Sequence, residues 1–295
     1  MLVTAVITTY KREPAMLERA LNSILNQTHK KLEIIVVDDS PSAYEFRDSV
    51  KELCSRFPSV IYVQHQENKG ACAARNTALS MANGEFIGFL DDDDEWLPEK
   101  IEKQLLGFTT ESVGLVYCDS FKINAKSGKI TQTTPKILTG QVYNALLYEN
   151  FIGSTSFPLL RTSALKEIGG FDINMPASQD YDVWLRIAQS FDVDYIDLPL
   201  VNYYIHEGEQ ITKNPHKKTD ALEKIINKNL AGYKANPKAL ASISADLVLY
   251  YALSNDSKNA FVAWIKTVKN DPLNLSRNTH SLGQVIKAAF KLYRT

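Results

Sequence analysis

Glu85-Phe86-Ile87-Gly88-Phe89-Leu90-Asp91-Asp92-Asp93-Asp94-Glu95-Trp96-Leu97-Pro98 runs an apolar segment straight into consecutive acids. Phe86 to Leu90 suits a strand buried on both faces, and open α/β sheets place their ligands at the carboxyl ends of such strands. Acids this dense repel one another unless a cation lies among them, and their hard oxygens suit Mg²⁺ or Mn²⁺. The same residues also read as a solvated acidic turn before a helix opened by Pro98, where the helix dipole favours Asp and Glu. Taken alone, the stretch leaves both readings open.

Upstream, strands and helices alternate. Leu2 to Thr8 is an apolar strand, and Pro14 opens a helix whose Leu17, Ala20, Leu21, Ile24 and Leu25 recur at the helical period. Leu32 to Val37 forms a second strand ending in Asp38-Asp39-Ser40-Pro41, followed by a helix marked by Phe46, Val50, Leu53 and Phe57. Val60 to Val63 forms a third, ending near Asn68-Lys69-Gly70 ahead of a helix that carries Arg75 and Asn76. The pattern predicts right-handed βαβ crossovers and a mostly parallel sheet covered on both faces. Thr8, Tyr10, Asp38, Asp39, Arg75 and Asp91 to Asp93 then converge on one edge. Neither a G-x-G-x-x-G after a strand nor a G-x-x-x-x-G-K-[ST] occurs, which argues against a dehydrogenase or a P-loop enzyme.

A chain of 295 residues holds one large domain with an appendage, or two domains. Its 33 Lys and Arg nearly cancel 34 Asp and Glu, so no global field recruits nucleic acid. Cys54, Cys72 and Cys118 are odd in number and share no C-x-x-C spacing, which suits buried thiols in a reducing compartment. With neither a leader-like h-region nor a membrane-length apolar run, the expected location is cytoplasmic.

Val6-Ile7-Thr8-Thr9-Tyr10-Lys11-Arg12, Ile35-Val36-Val37-Asp38-Asp39-Ser40, Asn68-Lys69-Gly70 with Ala74-Arg75-Asn76, and Phe89-Leu90-Asp91-Asp92-Asp93-Asp94-Glu95-Trp96 resemble, in order and spacing, the family 2 glycosyltransferases of the GT-A fold. The resemblance covers roughly the first two hundred residues. It implies a nucleotide-diphosphate sugar donor, a divalent metal (Mn²⁺ or Mg²⁺) held through a D-x-D motif, and inversion at the anomeric carbon. Carried over, Thr8 and Tyr10 line the nucleoside pocket, Asp38 meets the base beside Asp39 and Gly70, and Arg75 closes the pocket. Asp91 holds the ribose and Asp93 the metal, while Asp92 and Asp94 add negative charge or stay solvated, the solvated reading being the stronger. An Asp under the base suits uracil or thymine and leaves GDP donors open, with UDP-sugar the leading expectation.

Downstream, Val113 to Cys118 continues the sheet, and Phe121 to Asn124 with Lys129 to Gln132 form a hairpin. Lys126, Lys129 and Lys136 suit a solvated loop. Thr155 to Leu160 reads as a strand, and Ser163 begins a helix stopped by Gly169-Gly170. In Ser178-Gln179-Asp180-Tyr181-Asp182-Val183-Trp184 the serine is placed to cap a helix whose dipole favours Asp180 and Asp182, whether or not they do chemistry. Family members carry a Glu-Asp-Tyr-Asp-Leu-Trp-like sequence here, with the Asp after the Glu as general base, so the resemblance makes Asp180 catalytic. Gln179 replaces that Glu and, with Trp184, is expected on the acceptor side. His206, after Tyr203-Tyr204-Ile205, reads either as a group touching metal or diphosphate or as an ordinary residue.

The expected organisation is a catalytic domain over 1–212, with a nucleotide half to about 118 and an acceptor half from about 119, and a helical region over 213–295. Its apolar stripes are Leu222, Ile225, Ile226 and Leu230; Leu240, Ile243 and Leu247; Phe261, Trp264, Ile265 and Val268; and Leu282, Val285, Ile286, Ala289, Phe290 and Tyr293. Lys287, Lys291 and Arg294 beside Phe290 and Tyr293 read first as the solvated basic face of a helix docked on the catalytic domain and second as a peripheral membrane contact, which would suit a glycan or lipid-linked acceptor of surface polysaccharide synthesis. Two other readings stay open: a non-catalytic nucleotide-sugar-binding subunit, and a metal-dependent phosphotransferase.

Overall fold

The computed structural model describes residues 1–133, 136–206 and 214–290. They fall into two compact units: one from Met1–Val142, Phe151–Ile173 and Arg186–Glu207, the other from Tyr143–Asn150, Asn174–Leu185 and Gly208–Thr295.

The first unit opens with the expected alternation: β1 (Val3–Thr9), α1 (Pro14–Leu25), β2 (Leu32–Asp38), α2 (Arg47–Ser55), β3 (Val60–Gln64), α3 (Ala71–Met81) and β4 (Phe86–Asp91). Pro14 costs α1 no hydrogen bond in its first turn, and Leu17, Ala20, Leu21 and Ile24 make its buried face. That face shares one cluster with Val3, Ala5 and Ile7 of β1, Ile34 and Val36 of β2, and Phe86 and Leu90 of β4. Val6, Ile35 and Phe89 lie side by side in register and bury the opposite face. Each such side chain taken out of water contributes about 1.5–3 kcal/mol, so strands buried on both faces hold the sheet.

Beyond β4 come β5 (Glu95–Trp96), α4 (Lys100–Leu105), β6 (Val113–Asn124), β7 (Ile130–Gln132), α5 (Tyr143–Leu146), β8 (Leu159–Arg161), α6 (Thr162–Glu167), α7 (Gln179–Ser190) and β9 (Asp192–Ile205). The sheet order is β3-β2-β1-β4-β8-β6-β9-β5, with β7 hydrogen-bonded to β6. β3, β2, β1 and β4 are parallel, whereas β8 enters antiparallel between β4 and β6. The expected hairpin forms, Phe121 opposite Gln132.

Three local expectations change. The helix after the acids starts at Lys100, because Glu95 and Trp96 first pair with Asn202 and Val201 of β9. The acids therefore occupy a turn between strands, not a helix cap. The strand expected over Thr155–Leu160 forms only at its end, as Leu159–Arg161, because Thr155 and Ser156 turn to the acids of the turn.

In the second unit, α8 (Pro215–Lys228), α9 (Leu230–Ala235), α10 (Pro237–Leu253), α11 (Ser257–Asn270) and α12 (Leu275–Ala289) follow. α10, α11 and α12 contact one another pairwise. Asn255, at φ 57°, turns the chain between α10 and α11, and Asp256 caps α11 by accepting from the Asn259 N–H. The stripes expected on α8 and α10 bury Leu222, Ile225, Ile243 and Leu247. On α11 the buried line is instead Ala260, Ala263 and Thr267, while Phe261 and Ile265 are exposed. α12 likewise buries Val285 and Ala288 and exposes Ile286 and Phe290. Small residues let these helices approach closely and turn the large apolar ones outward. Lys291, Tyr293 and Arg294 lie outside the described residues. Among the described residues no helix is long and apolar enough to cross a membrane.

Candidate functional site

Parallel register sets up the edge. Thr8 of β1 lies opposite Val37 of β2 and Asp91 of β4, and Thr9 opposite Asp38. Three adjacent strands therefore end together and bring polar residues to the same carboxyl end of the sheet.

The acidic turn is closed by the Asp94 N–H donating to the Asp91 carbonyl at 3.0 Å. Its side chains fan out to different partners. Asp91 accepts from Arg75 Nη2 at 2.9 Å and from Thr155 Oγ1 at 3.1 Å. Asp92 accepts from Thr9 Oγ1 at 2.7 Å and Arg12 Nε at 2.8 Å. Asp93 Oδ2 accepts from Arg12 Nη2 at 2.8 Å and faces His206 Nε2 at 2.7 Å, while Arg19 Nη2 reaches the Asp93 carbonyl. Asp94 accepts from Ser156 Oγ at 2.7 Å and the Tyr204 N–H at 3.1 Å. The protein's own cations therefore answer the repulsion that the acids alone would generate.

Asp92 and Asp94, expected to be solvated, are 5% and 1% exposed. The hydroxyl, guanidinium and amide partners that surround them make this burial tolerable. Burial nevertheless pushes the Asp92 carboxyl up to about 6 against the pull of Arg12. Burial, then the charges of Asp91 and Asp93, raises Asp94 well above the carboxylate range. Burial opposes the charge of Arg12, but the neighbouring carboxylates overcome it and hold the guanidinium above its ordinary value.

On the β2 side, Asp38 is fully buried, accepting from the Ser40 N–H and the Tyr62 hydroxyl, both at 2.9 Å. Asp39 is tied to the chain: it accepts from the Lys69 and Gly70 N–H groups at 2.8 Å and pairs with His65 Nδ1 at 2.7 Å. Thr77 holds the other His65 nitrogen. Asp39 thus shapes the Asn68-Lys69-Gly70 loop, where Gly70, at φ 88°, turns the chain into α3. Thr8 is half-buried and Tyr10 is exposed. Arg75 is buried, with Phe171 beneath its guanidinium.

The start of α7 separates its two acids. Asp182 is 1% exposed and paired with Lys228. Asp180 stays half-buried, one oxygen accepting from the Tyr181 N–H and the other lying 3.4 Å from Asn150 Nδ2. Ser178 accepts the first helical hydrogen bond on its carbonyl, but its φ of 50° departs from an ordinary cap and its hydroxyl meets Lys218 instead. Gln179 reaches back to the Met175 carbonyl. Trp184 is wholly buried, so its indole belongs to the core and bears on an acceptor only through the backbone it supports.

Sequence reasoning missed Arg12, Arg19, His65, Thr155, Ser156 and the Tyr204 amide. Arg12 lies inside a stretch already singled out, but its partner is 80 positions away and periodicity carries no trace of the pairing.

The sequence model described as Glycosyl transferase family 2 matches residues 4–169. An Escherichia coli protein named UDP-Glc:alpha-D-GlcNAc-diphosphoundecaprenol beta-1,3-glucosyltransferase WfaP is 29% identical over 265 residues, 88% of this chain and 96% of its own. The crystal structure of S. aureus TarS 1–349 in complex with UDP-GlcNAc superposes with a TM-score of 0.62 at 19% identity, over 98% of this chain and 81% of that one. Of the longer S. aureus TarS chain the match spans 54%. The mannosyltransferase PcManGT from Pyrobaculum calidifontis, in complex with GDP-Man and Mn²⁺, gives 0.61 at 18% identity over 98% and 86%. These likenesses confirm the GT-A fold, and the family match, drawn from the residues that build β1 to α6, places this chain among the family 2 glycosyltransferases.

Proposed function

We propose that the protein is an inverting glycosyltransferase that moves a sugar from a UDP-sugar to a hydroxyl of a glycan or lipid-linked acceptor. The observation that carries this reading is the single edge where Thr8, Asp38, Arg75, Asp91 and Asp93 are gathered by parallel register and by the acidic turn. Thr8, Tyr10, Asp38 and Gly70 are assigned to the nucleoside, Arg75 and Asp91 to the ribose side, and Asp39 and Asp92 to fixing the loops that carry them. The diphosphoundecaprenol acceptor in the name of the E. coli relative supports a lipid-linked acceptor here.

A divalent cation fits Asp93. Among the described residues no set of three or more His, Cys, Asp or Glu side chains forms a cage. Asp93 with His206 instead offers one hard oxygen and one imidazole nitrogen, and Mg²⁺-type sites of this class draw their other ligands from substrate phosphates and water. The cation would neutralise charge on the leaving diphosphate. Asp180 is assigned the acceptor proton, because a hydroxyl is a poor nucleophile until a base takes it. Its half-exposed carboxylate at a helix start suits that task better than Asp182, which Lys228 occupies. Gln179 is assigned to the acceptor side.

Membrane contact is assigned to the helical unit. One face of α11 carries Lys258, Phe261, Val262, Ile265, Lys266 and Lys269, all exposed and without an acid, and α12 adds Lys287 and Phe290. Cations among exposed apolar groups suit an anionic bilayer surface.

The test is thermal stability of the wild type and of Asp93→Ala against UDP, dTDP, GDP and their sugar conjugates, with and without Mn²⁺, because a ligand of the folded state raises Tm. A rise that needs both UDP and metal and disappears in Asp93→Ala is expected. No rise with any nucleotide would reject the donor site.

A further inference from the structure

The guanidinium of Arg12 forks across two consecutive carboxylates, Nε to Asp92 Oδ1 and Nη2 to Asp93 Oδ2, each at 2.8 Å. Its two arms have different surroundings. Asp92 is the deeper group and has a second donor in Thr9, so the Nε arm is anchored. Asp93 is the more open of the two, its side chain 15% exposed against 7%, and the oxygen that Arg12 holds also faces His206 at 2.7 Å. That oxygen is the one assigned above to a divalent cation. A guanidinium and a divalent ion cannot both sit on it without strong mutual repulsion. The backbone ahead of Arg12 is fixed, since Lys11 has φ 50° and donates its N–H to Ser40 Oγ at 2.9 Å, so exchange falls to the side chain.

We propose that Arg12 is the resident cation of the metal position: in the metal-free protein it neutralises Asp93, and it yields that oxygen when metal and diphosphate arrive together, keeping its hold on Asp92. The proposal rests on Asp93 being the metal ligand. Its consequence is coupled binding. Metal alone must displace a cation, whereas a diphosphate brings negative charge that the released arm of Arg12 can meet.

The experiment titrates Mn²⁺ into the full chain, with and without UDP, and reads free Mn²⁺ by electron paramagnetic resonance. Without nucleotide, Arg12→Met is expected to bind Mn²⁺ about tenfold more tightly than wild type, the effect of removing one charge-assisted hydrogen bond. With UDP the gap is expected to close, because wild type then gains what the variant lacks. Arg75→Met removes an equal charge from Asp91 without freeing Asp93, and is expected to stay within about twofold of wild type. An unchanged or weaker affinity in Arg12→Met, or an equal gain in Arg75→Met, would overturn the proposal. Arg12→Lys keeps the charge but loses the fork; it is expected to fall in between, and it replaces Arg12→Met if that variant does not fold, with no gain again counting against the idea. Asp93→Asn separates the two readings: if it binds Mn²⁺ as wild type does, the metal assignment fails, and if it loses Mn²⁺ while Arg12→Met gains nothing, only the role of Arg12 fails.

Discussion

Two acidic stretches of this chain treat their charges in opposite ways. In the turn from Asp91 to Glu95, every carboxylate is engaged by side chains or amides from other segments, and the deepest, Asp92 and Asp94, have raised proton affinity. In the first turn of α7 one acid, Asp182, is buried against Lys228, and the other, Asp180, stays half-buried beside Asn150. Neighbouring acids can thus divide their work, one holding structure while the other stays reachable. Charge count does not reveal the division; burial and partners do.

The largest effect that would sharpen this contrast is on rate. Asp180→Asn removes the proposed base while keeping shape, so turnover, read as UDP release in the presence of acceptor, is expected to fall by about 10²–10⁴. Its Tm should barely move. Full turnover in that variant would break the division of labour and send the base elsewhere.

Asp182→Ala tests the other half. Removing it leaves Lys228 facing a buried pocket, and because that lysine is partly solvated the loss is expected at about 1–3 kcal/mol in urea unfolding. A change under half of that would make Asp182 dispensable to the helix.

Lys100 offers a buried cation with no carboxylate among its named partners. It lies against the Trp96 ring at 4.2 Å and donates to Gln104, and burial lowers it from its ordinary 10.5 to about 8. Between those values the unfolded chain holds the proton that the native chain has released, so stability contributed by this site rises with pH from about 8 to 10.5. Across that window wild type should gain about 1–3 kcal/mol on Lys100→Met, and below the lower value the difference should be constant, because both states of the chain then hold the proton and the buried charge costs most. A flat difference would show that the lysine reaches water.

The smallest effect is expected at Asp94→Asn. Burial and the neighbouring acids raise this carboxyl and favour its neutral form, and an amide of the same shape can still accept from the Tyr204 N–H and meet Ser156. The change in stability should stay within about 1 kcal/mol. A loss of several would mean that Asp94 is ionised and its charge is being used.

Much of the fold was legible. β1 through β4 and the helices between them follow from runs of Val, Ile and Phe broken by turn residues, and from Pro14, because local pattern and burial agree there. The sequence reads as a strand over Thr155 to Leu160, but its shortening to β8 and its antiparallel place between β4 and β6 were not legible, since three residues carry no periodicity of their own. On α11 the pattern misled: Phe261 and Ile265 read as a core stripe, but the alanines at 260 and 263 set the packing distance. Of the edge residues, the sequence offered Thr8, Asp38, Arg75, Asp91 and Asp93, and the parallel register places Thr8, Asp38 and Asp91 at the ends of adjacent strands.

By itself the sequence determined that a mostly parallel sheet would end in acids, and that the motifs carrying them belong to a glycosyltransferase family. Hydrophobic period and motif order are local properties that one chain displays in full. The tertiary structure alone decided which acids are buried, that Asp39 shapes a loop through His65 and Gly70, and that Arg12 stands on Asp92 and Asp93. Those outcomes depend on distances between residues far apart in sequence, and it is desolvation and the placement of counter-charges over those distances that assign each carboxylate its role.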